Sequence, residues 1–442
     1  MLRGLAGLVT AALLVASCGS AEPAAPAPTA TTTATTTATT SPPATLPATS
    51  TTAPPTTTTA PPLPELPAAP GREEVPWAEV GPGWYLVLYD SSPVDPWVGG
   101  ELREGPMVLY LVNRDAERYL LATWPVGDKP WQIVDAAGAS VLVSGRPSMD
   151  DDFQVEWIDL VTGETRLAGT ADFPERELSE ALFPRLVLPS GEAVTVYGSD
   201  GAAEWLERIS REGASLGVFF TQAHVESPAD LRWLDRADGS AVVVLHRDGA
   251  SEVTPAGETL GTLWVPADTL CYPKRWWDAD TYLAACYGRA PGAAPLDDYG
   301  NLHTHYGRLW LLETDGSAGT ALTAFPAEPP FVGDYGYRDA WPVGDETVLQ
   351  WSGDCGAAAV SLLQPDGVGE VLQVEAPGQM TGVEMVDVID GLIAIHGWEG
   401  CDGYVGTLFT VDLSGHLVRD LFPTPEGARG VLAARGLAGV AP

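Results

Sequence analysis

The feature that most constrains this chain is a hairpin that recurs along it at nearly regular spacing. Copies occupy residues 107–115, 155–163, 205–213, 251–257, 308–316, 360–367 and 406–415. Each has an apolar strand, a turn containing Gly or Asp, and a second strand ending in Leu or an aromatic residue. The turn glycines Gly163, Gly213, Gly257, Gly316, Gly367 and Gly415 are separated by 50, 44, 59, 51 and 48 residues. A second two-strand unit precedes the copies, as in 131–138 followed by 140–144, or 233–239 followed by 241–245; others span 277–285, 341–351 and 386–396. The repeat therefore holds four strands. Such a unit cannot bury its apolar faces alone and must stack on its neighbours.

Four strands per repeat, made seven times, predict an all-β fold over residues 73–442: a β-propeller of seven four-stranded blades, with six or eight as the alternatives. The run from an aromatic through a short Asp or Gly turn to a strand such as Leu109-Tyr-Leu-Val-Asn113 resembles the TolB-like and WD-repeat-like propellers of bacterial surface lipoproteins. That resemblance spans about 360 residues and implies the fold rather than an activity. The Gly-His…Trp-Asp pair of true WD repeats and the Ser-x-Asp-x-Gly-x-Thr-Trp box of sialidases do not occur. A set of blades needs closure, because its first and last sheets otherwise expose edges. Residues 429–434 are expected to supply an inner strand beside residues 84–90, with 77–80 competing for that place.

The first residues carry one early positive charge, Arg3, and then an apolar stretch ending in Ala16-Ser17-Cys18. Residues 1–17 read as an export signal, too short to span a membrane. Val15-Ala-Ser-Cys18 resembles a bacterial lipobox, which implies cleavage before Cys18 and fatty acylation, palmitate included, of the new N-terminus. Residues 18–72 follow as a linker; from Ala21 to about Pro70 they are almost wholly Thr, Pro and Ala. Proline blocks both helix and sheet ladders and favours polyproline II, so about 50 residues are expected to form a disordered, semi-extended stalk reaching up to about 150 Å. Thr/Pro stretches resemble O-glycosylated stalks, and whether this one is modified stays open. The expected address is the extracytoplasmic face of a bacterial cell membrane.

Of 442 residues, 59 are acidic and 23 basic, giving a net charge of −36. So acidic a surface repels phosphate backbones and anionic headgroups, which argues against nucleic acid and against electrostatic docking on membranes. Fifteen Trp and 45% hydrophobic residues supply ample core. Beyond Cys18, four cysteines remain: Cys271, Cys286, Cys355 and Cys401. In an oxidising compartment they predict two disulfides. Cys271 and Cys286 fall opposite one another in one hairpin, while Cys355 and Cys401 occupy the same loop of adjacent repeats. Zinc binding by the four thiolates would need short paired spacings, which are absent.

In a propeller the loops from second to third strand and from one blade to the next share one face. Here those loops carry the insertions, at 91–105, 144–152, 170–183, 288–307 and 325–338, and they mark a candidate binding face. On it Asp297 and Asp298 lie near His303 and His305, whose alternate spacing on an extended strand suits a metal ion, or equally a solvated polar loop. Asp151, within 149–152, offers oxygen ligands for calcium or a plain acidic turn. Trp97, Tyr299, Tyr335, Tyr337 and Trp398 could form an aromatic platform for sugars or side chains, or could pack between loops. Metal binding stays open. No Gly-x-Ser-x-Gly, His-Glu-x-x-His or phosphate-binding Gly-rich loop occurs, so no catalytic residue is assigned and no cofactor is expected. His224, His246, His396 and His416 read as ordinary sheet residues. These features point to a monomeric, lipid-anchored binding or scaffold module for a protein, peptide or cell-wall glycan. The alternative is a glycan- or peptide-cleaving hydrolase or lyase with Asp151, Asp297 and Asp298 as acid and base.

Overall fold

The computed structural model describes residues 66–437, apart from 94–104, 125–129, 146–153, 169–184, 187–192, 200–201, 211–213, 224–230, 237, 247–248, 290–304, 326–333, 354–355, 400–404 and 426–427. All belong to the second of the two units into which the chain divides, Pro61–Pro442. Among the described residues the only helices are two single 3-10 turns, Arg72–Glu74 and Trp77–Glu79. The second corrects one expectation, that 77–80 competes as a closing strand. Pro76 opens the turn and has no N–H to give a ladder, and the Glu79 N–H bonds back to the Pro76 carbonyl at 2.8 Å.

All other regular structure is strand. The first three strands are β1 (Trp84–Pro93), β2 (Met107–Asn113) and β3 (Arg118–Trp124). Antiparallel meanders of four follow: β4 (Pro130–Ala137), β5 (Ser140–Gly145), β6 (Gln154–Asp159) and β7 (Thr165–Ala168); then β8 (Arg185–Leu186), β9 (Ala193–Ser199), β10 (Ala203–Ser210) and β11 (Ser215–Ala223). Next come β12 (Arg232–Asp235), β13 (Val242–His246), β14 (Gly249–Val253) and β15 (Thr259–Leu263), and β16 (Thr269–Trp276), β17 (Thr281–Arg289), β18 (His305–Glu313) and β19 (Thr320–Ala321). The last two are β20 (Asp334–Val343), β21 (Glu346–Gly353), β22 (Gly356–Leu363) and β23 (Gly369–Val371), and β24 (Gly382–Ile389), β25 (Leu392–Glu399), β26 (Val405–Asp412) and β27 (Leu417–Phe422). One strand remains, β28 (Ala428–Gly436). It pairs with β1, so the first meander runs β28-β1-β2-β3.

The apolar clusters lie between successive meanders. One face of β1 and β2, with Leu86, Leu88, Leu109 and Leu111, packs on Val141 and Val143 of β5. The other face, with Val87, Tyr89, Val108 and Tyr110, packs on Leu408 and Phe422 of the last meander. Both faces of each meander are thus covered, which explains why β2 is buried at every position and reads as an unbroken apolar run. The expected turn chemistry is present: Gly163, Gly257, Gly316, Gly367 and Gly415 all have positive φ, while Gly213 lies outside the described residues. At hairpin turns Asn113, Asp159, Asp315, Asp366 and Asp412 accept backbone N–H bonds through Oδ1, so part of the acidic excess is turn-forming.

Closure follows the expected route. β28 runs antiparallel to β1 with Leu86 opposite Arg435, Val87 opposite Ala434 and Tyr89 opposite Val431. Beyond the ladder, the Leu437 N–H donates to the Trp84 carbonyl at 2.9 Å. His396 of β25 bonds the Val431 carbonyl through Nε2 at 2.9 Å; burial pushes its pKa down, so the ring is neutral and donates. Where β26 meets β28 in parallel, Gly406 faces Gly430, whose φ is +78°. A Cβ on Gly406 would stand 1.8 Å from the Val431 carbonyl oxygen. Gly307 and Gly336 make the equivalent contact between β18 and β20. Cys271 and Cys286 lie directly opposite on β16 and β17 and are joined by a disulfide, whereas Cys355 and Cys401 fall outside the described residues.

Two outcomes follow from this geometry. Gly406→Ala should cost about 1–3 kcal/mol and speed hydrogen exchange at β28 amides before those of β5 and β6, since it pushes the closing strand off β26. Replacing Cys271 and Cys286 together by Ser should lower the unfolding free energy, measured in urea, by about 2–4 kcal/mol.

Candidate functional site

The inner strands β4, β16, β20, β24 and β28 surround a cleft of about 1000 Å³. Their chemistry is set by a repeated irregularity. Each has a bulge at which a residue is extra relative to its partner strand, at Val134, Lys274, Arg338, Val386 and Leu432, and β4 and β20 have a second such bulge, at Trp131 and Tyr335. Such a bulge breaks strict alternation and re-aims the side chains around it. The residues that follow the first five are Asp135, Arg275, Asp339, Asp387 and Ala433, and with Lys274, Arg338, Glu384 and Arg435 they put four cations and four carboxylates on the lining.

These charges are joined across neighbouring meanders. Arg275 reaches from β16 to Asp339 on β20 with two parallel bonds, Nε to Oδ1 at 3.1 Å and Nη2 to Oδ2 at 2.6 Å, and its guanidinium lies 3.6 Å from the Trp341 ring centroid. Arg338 of β20 donates to Glu384 of β24 at 2.9 Å, and Arg435 of β28 pairs with Asp135 of β4. The bidentate Arg275–Asp339 pair, charge-assisted along two parallel bonds, holds both partners in one geometry. Asp387 differs. Among the described residues it has no arginine at ion-pair distance; its Oδ1 accepts the Val388 N–H at 2.8 Å, and it sits against Gly436, where an added Cβ would come within 2.7 Å of Oδ2. Burial pushes its carboxyl above the ordinary value, opposed by the Val388 N–H and the more distant Arg275.

The site residues expected from sequence are distributed as follows. Trp97, Asp151, Asp297, Asp298, Tyr299 and His303 lie outside the described residues, and His305 is described only as backbone, paired with Arg289. Tyr335 is partly buried on β20. Tyr337 is core rather than platform: it is fully buried, its ring centroid is 4.1 Å from that of Trp351, and its hydroxyl accepts the Gly369 N–H at 2.8 Å. Trp398 lines the cleft, largely buried, with its ring 5.3 Å from His396. Among the described residues no group of three or more His, Cys, Asp or Glu side chains is placed to hold a metal. Sequence reasoning missed the charged lining. Its signal was a carboxylate three to five residues ahead of a turn glycine, at Asp135, Asp339 and Asp387 before Gly138, Gly344 and Gly391.

No family model matches the chain, and no curated protein matches it. Solved structures do. The chain is similar to a hypothetical selenium-binding protein from Sulfolobus tokodaii at 10% identity and TM-score 0.52, covering 84% of this chain and 98% of that one. It is also similar to the β-propeller domain of the Trilobed protease from Pyrococcus furiosus (14% identity, TM-score 0.37, 63% and 81% covered) and to a prolyl endopeptidase (11% identity, TM-score 0.48, 76% of this chain). The chain spans about half of the prolyl endopeptidase, 48% of its length. The class defined by the fold is an all-β protein built of several four-stranded antiparallel sheets.

Asp387 gives this site a pH signature. A carboxyl raised in the folded state binds its proton more tightly there than in the unfolded chain. Stability is therefore lost as pH rises from the ordinary value of 3.8 through the raised one. In urea titrations between about pH 3.5 and 7, Asp387→Asn should remove that part of the decline, so that its stability relative to wild type grows with pH.

Proposed function

We propose that the chain is a lipid-anchored, seven-bladed β-propeller on the extracytoplasmic face of a bacterial cell membrane, which binds a segment of an envelope protein, peptide or glycan in the cleft between its inner strands. The four-stranded meanders, each packed on the next and the last on the first, support the blade count. The lipobox at Cys18 and the Thr/Pro stalk support the address. The observation that carries the binding reading is the paired lining. In a chain of net charge −36, four basic side chains gather in one cleft of about 1000 Å³, and three of them are fixed by carboxylates from neighbouring strands. A fixed array of alternating donors and acceptors meets a polar chain with little ordering cost at the moment of binding.

A second reading, hydrolysis, draws on Asp387. Burial beside a cleft makes its carboxyl hold a proton more tightly than an ordinary Asp, a shift in the direction a general acid needs.

Immobilised full-length chain, screened against peptide and glycan libraries, should retain a ligand whose affinity drops at least tenfold in Arg338→Ala and Arg275→Ala and weakens with salt. Undiminished retention by both variants would sink the cleft as the binding site. Turnover of a retained ligand, lost in Asp387→Asn, would select the hydrolase instead. For the anchor, Cys18→Ser should abolish labelling by radioactive palmitate and move the chain from the membrane to the soluble fraction.

A further inference from the structure

The connector from Trp264 to Asp268, between β15 and β16, lies over β18 and encloses a second cavity, of about 400 Å³, which shares no lining residue with the cleft. Its walls are aromatic. The Trp264 and Trp310 ring centroids are 5.6 Å apart with planes inclined at 53°, and Tyr306 and Phe325 are likewise 5.6 Å apart. Among these rings sits the Arg308 guanidinium, its carbon 5.2 Å from the Trp310 centroid and 4.8 Å from that of Phe325.

One edge of that guanidinium is committed. Nε and Nη2 both donate to the Thr323 carbonyl, at 3.0 and 2.8 Å, and Thr323 is itself buried and tied by its hydroxyl, which accepts the Leu309 N–H at 2.9 Å. The other edge, at Nη1, has no acceptor among the described residues, and none of their carboxylates lies at ion-pair distance. Arg114, Arg208, Arg236, Arg275, Arg338, Arg419 and Arg435 each hold one, whereas Arg308, like Arg72 and Arg118, does not among the described residues. With 59 acidic residues available, a partner for Arg308 was not scarce. Partial burial lowers the pKa of Arg308, the mark of a cation held against its desolvation cost, which a bound anion would offset.

We propose that this cavity binds an anionic sugar residue, a hexuronic acid, with the sugar ring against Trp264 and Trp310 and its carboxylate on the open edge of Arg308. The volume falls at the small end of the range for ligand pockets, about 300–1000 Å³. Inclined indole faces suit a body with flat C–H surfaces, and a guanidinium fork suits a carboxylate. A ring that carries its own carboxylate satisfies both. An acidic peptide side chain reaches Arg308 on a slim stem and leaves the aromatic walls unfilled. Asp268 stands exposed at the mouth with φ of +57°, in a turn closed by the Thr269 hydroxyl donating to the Pro266 carbonyl at 2.8 Å, and accepts from ring hydroxyls.

The test is calorimetric titration of the full-length chain with trigalacturonic acid, with maltotriose as the neutral counterpart and triglutamate as the peptide counterpart. Trigalacturonic acid should saturate one site and bind at least tenfold more tightly than either control. Arg308→Gln and Trp264→Leu should each weaken it at least tenfold while the melting temperature stays near that of wild type. Should Arg308→Gln misfold through loss of the Thr323 bonds, Trp264→Leu decides, since the Trp264 side chain makes no hydrogen bond to β18 or β19 among the described residues. Equal binding of maltotriose or triglutamate, full affinity in Trp264→Leu, or no saturation at millimolar concentration would overturn the assignment.

Discussion

The antiparallel ladder between β28 and β1 is the interaction on which the rest of the molecule depends. Strands far apart in sequence meet there, and the result is an inner strand for a meander whose other three strands come from the beginning of the domain. Without it β1 would be an exposed edge with unpaired backbone groups. The loss would also spread through packing. Val431 and Ala428 help to fill the cluster between the last meander and the first, while Leu437 belongs to the one between first and second. The Gly406–Gly430 approach and the His396 bond to Val431 hold the same strand from the side of the last meander.

Charge is sorted by position rather than spread evenly. Exposed carboxylates cap turns: those of Asp238, Asp278, Asp315 and Asp412 accept hydrogen bonds from nearby backbone or hydroxyl groups and are held below the usual carboxylate range. Their contribution is present at neutral pH and fades in acid. Four basic side chains instead gather inward, where bulges let adjacent residues such as Lys274 and Arg275, or Arg338 and Asp339, line the cleft together. An acidic exterior around a balanced interior keeps copies of the molecule apart while leaving the cleft open to either sign of ligand charge.

How much of this was legible depends on what each feature rests on. The repeat, its turn glycines, the Cys271–Cys286 pairing and the closing strand follow from period and register, which a sequence displays directly. The cleft does not. A bulge adds one residue to a strand of period two, so reading Arg338 and Asp339 as alternately in and out misses that both face one space. Tyr337 stayed ambiguous for a related reason: beside a long loop an aromatic reads as a platform or as packing, and only the Trp351 ring, brought from β21, places it in the core. Arg308 carries no sequence signal of its own, because the lack of a carboxylate partner is a property of the folded neighbourhood.

The shared first meander also orders events in time. A ribosome delivers β1, β2 and β3 early, yet their fourth strand arrives only with residues 428–436, after the other described strands have been made. Intermediate meanders can form as they emerge, but the apolar faces of β1 and β2 wait, half covered, until the end. A chain that lacks β28 therefore differs from one that has it by far more than nine residues. It presents an open apolar seam, the kind of surface that proteases and chaperones read, so the fold itself registers whether β28 is in place.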